Sequence, residues 1–344
     1  MAPTAFVTGI SGQDGAYLAK LLVEKGYKVY GGVRRLPEAP LPRLVELGIA
    51  GEVELCRFDL ADLSMIQDAV ERVRPDEFYN LGAQSFVGSS WQQPLYTADI
   101  DAVAVCRILE AIRARSPQTR FFQASTSEMF GAVREMPQSE DTPFRPRSPY
   151  GVAKLYGHGI TVNYRESYGI HASCGILFNH ESPLRGAEFV TRKITLGLAR
   201  IAQGRQELLE LGNLSAKRDW GFAGDYVEAM WRMLQQPAGD DFILATGTTT
   251  TVRRFVEAAG AAIGLEIEWR GEGEGEEGFD RRSNKRVVAV NPAFFRPVDI
   301  DVLVGNASKA RERLGWSPAM DLSELAALMA RTDHDRVARG AVTF

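Results

Sequence analysis

The 344-residue chain has 45% hydrophobic and 24% charged residues, ordinary usage for a folded protein of one large or two smaller domains, which excludes disorder and fibrous repeats. Its net charge of -4 gives no basic excess for nucleic acid, and no apolar run approaches the ~20 residues that span a bilayer, so neither nucleic acid nor membrane is an expected partner. Cys56, Cys106 and Cys174 form no CxxC pair, so buried thiols are expected rather than disulfides or zinc ligands, and with no leader-like N-terminus a cytoplasmic location follows.

In chain order, 5–8 reads as a strand, 16–25 as a helix, 28–33 and 53–56 as strands, and 62–73 as a helix capped by Asp62. Strands follow at 77–80, 120–124 and 172–178, with long helices across 96–115 and 150–168. This alternation predicts βαβ units, hence an α/β fold with a doubly wound parallel sheet. After Phe178 the rhythm changes to loops with a helix near 189–203, and then 242–247 reads as another sheet strand. The expected organisation is two interleaved lobes, 1–178 plus about 222–247, and 179–221 plus about 248–344. The run GEGEGEEG at 271–278, followed by FDRRSNKR, reads as a flexible surface loop.

Between the first strand and helix stand Gly9, Gly12 and Gly15, spaced three and three. Glycines in this context permit a tight turn and the close approach of backbone to a pyrophosphate, which the helix N-terminus then faces. At the end of the second strand, where an acidic residue would hold an adenine-ribose hydroxyl, the chain has Arg34-Arg35, which suit a 2′-phosphate and favour NADP over NAD.

Residues 123–130, QASTSEMF, end a strand that begins with Phe121-Phe122, and Tyr150 and Lys154 share one face of the helix opened by Ser148-Pro149. An ammonium beside a phenol favours the phenolate, so Tyr150 can serve as a base. Thr126 can donate to a substrate oxygen as charge develops, and Glu128 can exchange a proton.

These motifs resemble the extended short-chain dehydrogenase/reductase family. The blocks TGISGQDGAYLAKLL, NLGAQSFVGSSW, QASTSEMFG, PRSPYGVAKLYGH, GILFNHESPLRG, FVTRKIT, AKRDWGFAGDYVEAMW and FFRPVDIDVLVGN are similar, within it, to the GDP-mannose 4,6-dehydratases. The resemblance implies a Rossmann domain with a smaller C-terminal α/β substrate domain, a tightly kept NADP, and a redox-neutral loss of water from GDP-mannose. It implies Thr126, Glu128, Tyr150 and Lys154 as the catalytic set, Tyr150 taking the 4-hydroxyl proton and Glu128 the C5 proton. It places Gly9, Gly12, Gln13, Asp14, Arg35, Asp59, Leu60, Leu81, Ala83, Ser85, Tyr96, Lys154, His180 and Arg185 at the cofactor. Ser85, Thr126, Asn179, Lys193, Asn213, Arg218 and Arg296 fall at the nucleotide sugar, and no metal is implied.

It also implies a homodimer or homotetramer built on the helices 96–115 and 150–168. One departure is plain: members commonly follow the double arginine with small hydroxyl residues that serve the 2′-phosphate and a tetramer contact, and here Leu36-Pro37 follow. Epimerases and 4-keto-6-deoxymannose reductases on the same scaffold, and a non-catalytic NADP sensor, are the alternatives. Glu128 separates a dehydratase from the first two, since they need no elimination. The retained Tyr150 and Lys154 argue against the sensor.

Overall fold

A computed structural model describes residues 2–133, 135–294 and 303–340, and the chain divides into two units. The first runs to Phe178 and adds Ala223–Ala245 and Gly305–Ser317. Its seven parallel strands are β1 (Thr4–Thr8), β2 (Lys28–Val33), β3 (Val53–Arg57), β4 (Glu77–Asn80), β5 (Arg120–Thr126), β6 (Ala172–Leu177) and β7 (Asp241–Leu244), in spatial order 7-6-5-4-1-2-3. The order reverses beside β1, and in such sheets ligands bind outside the carboxyl ends of the strands at that switch point. Every residue of β4 and of β6 is buried, as expected of parallel strands covered on both faces. Phe6 stacks on Phe78 at 5.0 Å, Phe58 tilts against both and Phe121 against Phe78, anchoring β1, β4 and β5 in one apolar layer.

Three helices of this unit matter for the site: α1 (Gln13–Glu24), α2 (Ala104–Arg115) and α3 (Pro149–Tyr168). The helix expected at 96–115 is continuous in path but not in pitch. A short helix Pro94–Ala98 passes through a wide π-type turn at Asp99–Val103 before α2 begins. Such turns often mark functional positions, and no simple apolar period announces one. Asp62 caps the helix Leu63–Val73 by accepting from the backbone N–H groups of Ser64 and Met65. Cys56 and Cys174 are buried and Cys106 half-buried, all three free.

The sequence reading assigned everything after about 248 to the second lobe, whereas Gly305–Ser317 returns to the first unit. A β-carbon on Gly305 would lie 2.3 Å from the Ala245 methyl, so the chain passes tightly against the end of β7. Arg232 then donates to the carbonyls of Leu314 and Gly315, and Lys309 pairs with Asp240 at 2.8 Å.

The second unit contains α4 (Val190–Ala202), the helix Val252–Ala262 and α5 (Leu322–Arg339). They pack on a four-stranded sheet ordered Ile267–Arg270, Glu277–Asp280, Lys285–Val290, Leu209–Leu211. Leu198, Leu209, Trp220, Phe255, Val288 and Met329 form its core. The segment 271–278, expected to be a flexible surface loop, contributes to this sheet instead. A single helical turn, Gly273–Gly275, leads into the strand Glu277–Asp280, and Glu276 is buried against Arg253 at 2.6 Å. The glycine and glutamate content concealed one buried carboxylate and a strand that pairs on both sides.

Candidate active site

Because β1 to β5 are parallel, the residues expected at a dinucleotide collect at one edge of the sheet: Gly9 after β1, Arg35 after β2, Asp59 and Leu60 after β3, Leu81, Ala83 and Ser85 after β4. Gly9 adopts φ +68°, and a β-carbon there would lie 2.9 Å from the backbone of Leu81 and Gly82. The turn therefore closes directly over the end of β4, with Gly12 N–H donating to Gly9 O at 2.9 Å. The N-cap of α1, Gly12, makes no side-chain hydrogen bond, which suits a backbone cradle for a pyrophosphate. Thr8, buried at the end of β1, shapes the facing loop by accepting from the N–H groups of Leu81 and Gly82 while donating to Asn80 Oδ1. Gln13 is buried and donates to Asp14, and Asp59 accepts from Ala61 N–H. These residues fit a nicotinamide dinucleotide. Arg35, Ser85 and Tyr96 are exposed.

The residues expected to carry the chemistry meet where β5 ends. Thr126, 8% exposed, is the last residue of the strand and accepts from Glu128 N–H at 3.3 Å, which turns the chain sharply enough that Glu128 follows at the same edge, half-buried. Ser148 caps α3 by accepting from Gly151 N–H at 3.0 Å, and Pro149 sets the first turn. Gly151 packs on the backbone of Glu128 so closely that a β-carbon would stand 2.8 Å from its carbonyl oxygen. Tyr150, next to Gly151 and itself buried, is thereby fixed beside the Thr126–Glu128 turn.

One turn on, Lys154 donates from Nζ to Ala124 O at 3.0 Å, with its ammonium 5.8 Å from the Tyr150 ring centre. Burial lowers the Lys154 pKa, opposed by the negative charges of Asp101 and Asp14. Sequence reasoning missed Asp101, which sits on the wide turn, 1% exposed, and accepts from Gln84 N–H at 2.7 Å. Burial pushes its carboxyl up to about 6 against the pull of Lys154. Its visible signal was a second acidic residue, two after Asp99, in the otherwise apolar stretch 98–106. Gln123 was also missed: it joins Asn80 to the Ala124 carbonyl that Lys154 uses, completing a buried polar chain from Thr8 across the sheet.

In the second unit, Asn179 and His180 lie on the short strand Asn179–Glu181, paired in parallel with Trp220–Phe222. Lys193 stands in the first turn of α4 with its ammonium 3.6 Å from the Phe294 ring centre, and burial lowers its pKa. Asn213 turns the chain by accepting from Ser215 N–H, and Arg218 lies on the strand Lys217–Arg218. The Arg185 guanidinium lies 3.5 Å from the Phe189 ring centre and pairs with Glu181. Arg296 falls outside the described residues.

Among the described residues, one trio of metal-ligating types, His158, Cys174 and Asp241, lies in the first unit's core. Arg165 holds Asp241 at 2.8 and 3.1 Å and Ser125 hydrogen-bonds His158, so the trio belongs to an ion-pair cluster with its polar atoms already engaged. No helix among the described residues is long and apolar enough to cross a membrane.

A family model described as GDP-mannose 4,6 dehydratase matches residues 6–329. A GDP-mannose 4,6-dehydratase from Sinorhizobium fredii is 51% identical over 336 residues, covering 96% of each chain. The GDP-mannose 4,6 dehydratase 2 of Caenorhabditis elegans is 49% identical over 96% of this chain and 88% of its own. In fold, the chain resembles a UDP-glucose 4-epimerase from Thermotoga maritima, with TM-score 0.82 at 21% identity over 97% of this chain and 99% of the other.

Proposed function

The chain belongs to the GDP-mannose 4,6-dehydratase family, and we infer from that membership and from the end of β5 that it converts GDP-D-mannose to GDP-4-keto-6-deoxy-D-mannose and water. The observation that carries this reading within the scaffold is the Thr126–Glu128 turn held against the start of α3: it sets a carboxylate-bearing residue beside Tyr150, which an elimination needs and a simple oxidation does not.

Held by the glycine turn after β1 and the residues that follow β2, β3 and β4, NADP would accept a hydride from C4 of the mannose and give the same hydride back at C6. Tyr150 takes the proton of the 4-hydroxyl as the C4 hydride departs, and Thr126 donates to the developing carbonyl oxygen. Lys154, anchored on Ala124 O, holds positive charge near the phenolate. The new 4-keto group acidifies C5–H. Glu128 removes that proton and passes it to the C6 hydroxyl, which leaves as water. The C5–C6 double bond left by loss of water would be closed by a hydride at C6, which the dinucleotide would return, and by a proton at C5 that replaces the one Tyr150 took from O4, so atoms and electrons balance.

Lys193, Arg218 and Arg296 are suited to the GDP diphosphate, with Ser85, Asn179 and Asn213 as polar partners. Arg34 and Arg35 suit the 2′-phosphate of NADP, the form of the cofactor we assign. A homodimer is supported by an apolar groove of about 630 Å³ lined by Trp91, Pro94, Ala98, Val103, Val152 and Tyr156, with Leu95 nearby 85% exposed. A monomeric mass by sedimentation would remove that part of the reading. A cytoplasmic enzyme agrees with three free thiols.

The test is purified protein with GDP-mannose and no added reductant. A 4-keto product should accumulate; stoichiometric consumption of added NADPH without it would make the protein a reductase.

A further inference from the structure

The second unit buries a charge cluster that the reaction does not use. Arg192 of α4 and Asp333 of α5 are fully buried, and Arg336 is 7% exposed. Asp333 Oδ2 accepts from Arg192 Nε and from Thr195 Oγ1, each at 2.7 Å, while Oδ1 accepts from Arg336 Nη1 at 3.0 Å. Beyond the aspartate, both arginines are directed at backbone. Pro183 O accepts from Arg192 at 2.8 Å and from Arg336 at 2.6 Å, and Arg185 O accepts from Arg192 at 2.8 Å. Both guanidinium groups thus converge on the loop Ser182–Gly186, which is further tied by Arg185 N–H to Ser182 O and Leu184 N–H to Ser182 Oγ.

Burying ions is costly, and well-packed apolar residues often replace them without loss of stability. Such a cluster is explained better by what it fixes. It fixes the loop that carries Arg185, which stacks on Phe189 and pairs with Glu181, itself held by Thr191 at 2.6 Å.

We propose that Asp333, through Arg192 and Arg336, is a positioning residue that presets the Ser182–Gly186 loop for the dinucleotide. This rests on the reading of His180 and Arg185 as cofactor-binding residues. An unclamped loop would have to be ordered at the moment of binding, so the clamp acts on cofactor affinity rather than on the chemical step.

The test compares wild type, Asp333→Asn, Arg336→Lys, Arg185→Ala and the Asp333→Asn/Arg185→Ala double variant, each stripped of cofactor. Two quantities are measured: NADPH affinity by fluorescence titration, and the thermal midpoint without cofactor. Asp333→Asn should weaken NADPH binding about tenfold or more, with turnover at saturating cofactor within about twofold of wild type. The double variant should bind no more weakly than the weaker single variant, because both act through one loop. A lowered thermal midpoint with unchanged affinity, or additive losses in the double variant, would overturn the clamp. Unchanged affinity in Arg185→Ala would instead overturn the cofactor reading of the loop. Should Asp333→Asn fail to fold, Arg336→Lys, at the cluster's more exposed end, carries the same comparison.

Discussion

Replacing Gly151 by alanine separates the two halves of the site by a distance that can be worked out. A β-carbon at Gly151 would meet the Glu128 carbonyl oxygen at 2.8 Å and Pro146 Cβ at 3.1 Å, where ordinary contact begins at 3.4 Å. The nearer neighbour is backbone and cannot rotate away, so the start of α3 and the end of β5 must part by about 0.6 Å. Tyr150 travels with the helix and Thr126 and Glu128 stay with the strand, so the displacement falls on the separation that the proposed proton transfers would use. A misplacement of ~1 Å can cost ~10²-fold, which makes about tenfold or more the expected loss in kcat. Crowding of this kind costs roughly 1–3 kcal/mol, offset in part by the ~0.5–1 kcal/mol that alanine gains over glycine in a helix, so the protein should still fold. Steady-state formation of the 4-keto product gives kcat and KM, and a thermal melt gives the stability change. Full kcat in a variant with the expected melt would refute the claim that the Gly151 contact sets catalytic geometry.

Glu128→Gln keeps size and removes the proposed proton acceptor. Elimination should fall by two orders of magnitude or more while oxidation at C4 stays measurable as reduced cofactor, and normal elimination would remove Glu128 from its role. Asp101 carries a pH signature. Its folded pKa, near 6, lies above its ordinary value of 3.8, so the group stabilises the fold at acid pH and that contribution is lost as pH rises through 6. Between about pH 4 and 7 wild type should therefore lose up to roughly 3 kcal/mol relative to Asp101→Asn in urea titrations, and parallel pH profiles would contradict the assignment. Arg35→Ala should weaken NADP binding by roughly tenfold with little effect on NAD, and equal losses for both would show that this arginine does not read the 2′-phosphate.

The parallel sheet was legible because β1 carries an uninterrupted apolar or β-branched run and shorter apolar runs recur in β2 and β4 between helical segments, and the glycine turn because it falls between the first strand and helix. Tyr150 and Lys154 were legible as a pair at helical spacing. What brings them to Thr126 was not, since the contact between Gly151 and the Glu128 backbone joins residues far apart in the chain and leaves no local pattern. Asp101 escaped for a similar reason: its significance lies in burial beside Lys154 on a turn of irregular pitch. The segment 271–278 misled through composition, because glycine and glutamate normally signal solvent, while here Glu276 is buried by a partner, Arg253, that periodicity cannot supply. The Arg192–Asp333–Arg336 cluster was equally hidden, its members 141 and 3 residues apart and meaningful only where α4 and α5 pack.

The central claim is that one hydride leaves C4 and returns to C6 of the same sugar. GDP-mannose deuterated at C4, mixed with unlabelled substrate carrying a heavy-carbon tag, resolves this by mass spectrometry of the 4-keto product. The account predicts that deuterium appears at C6, only in molecules lacking the carbon tag. Deuterium crossing to tagged product, or lost from product altogether, would contradict it.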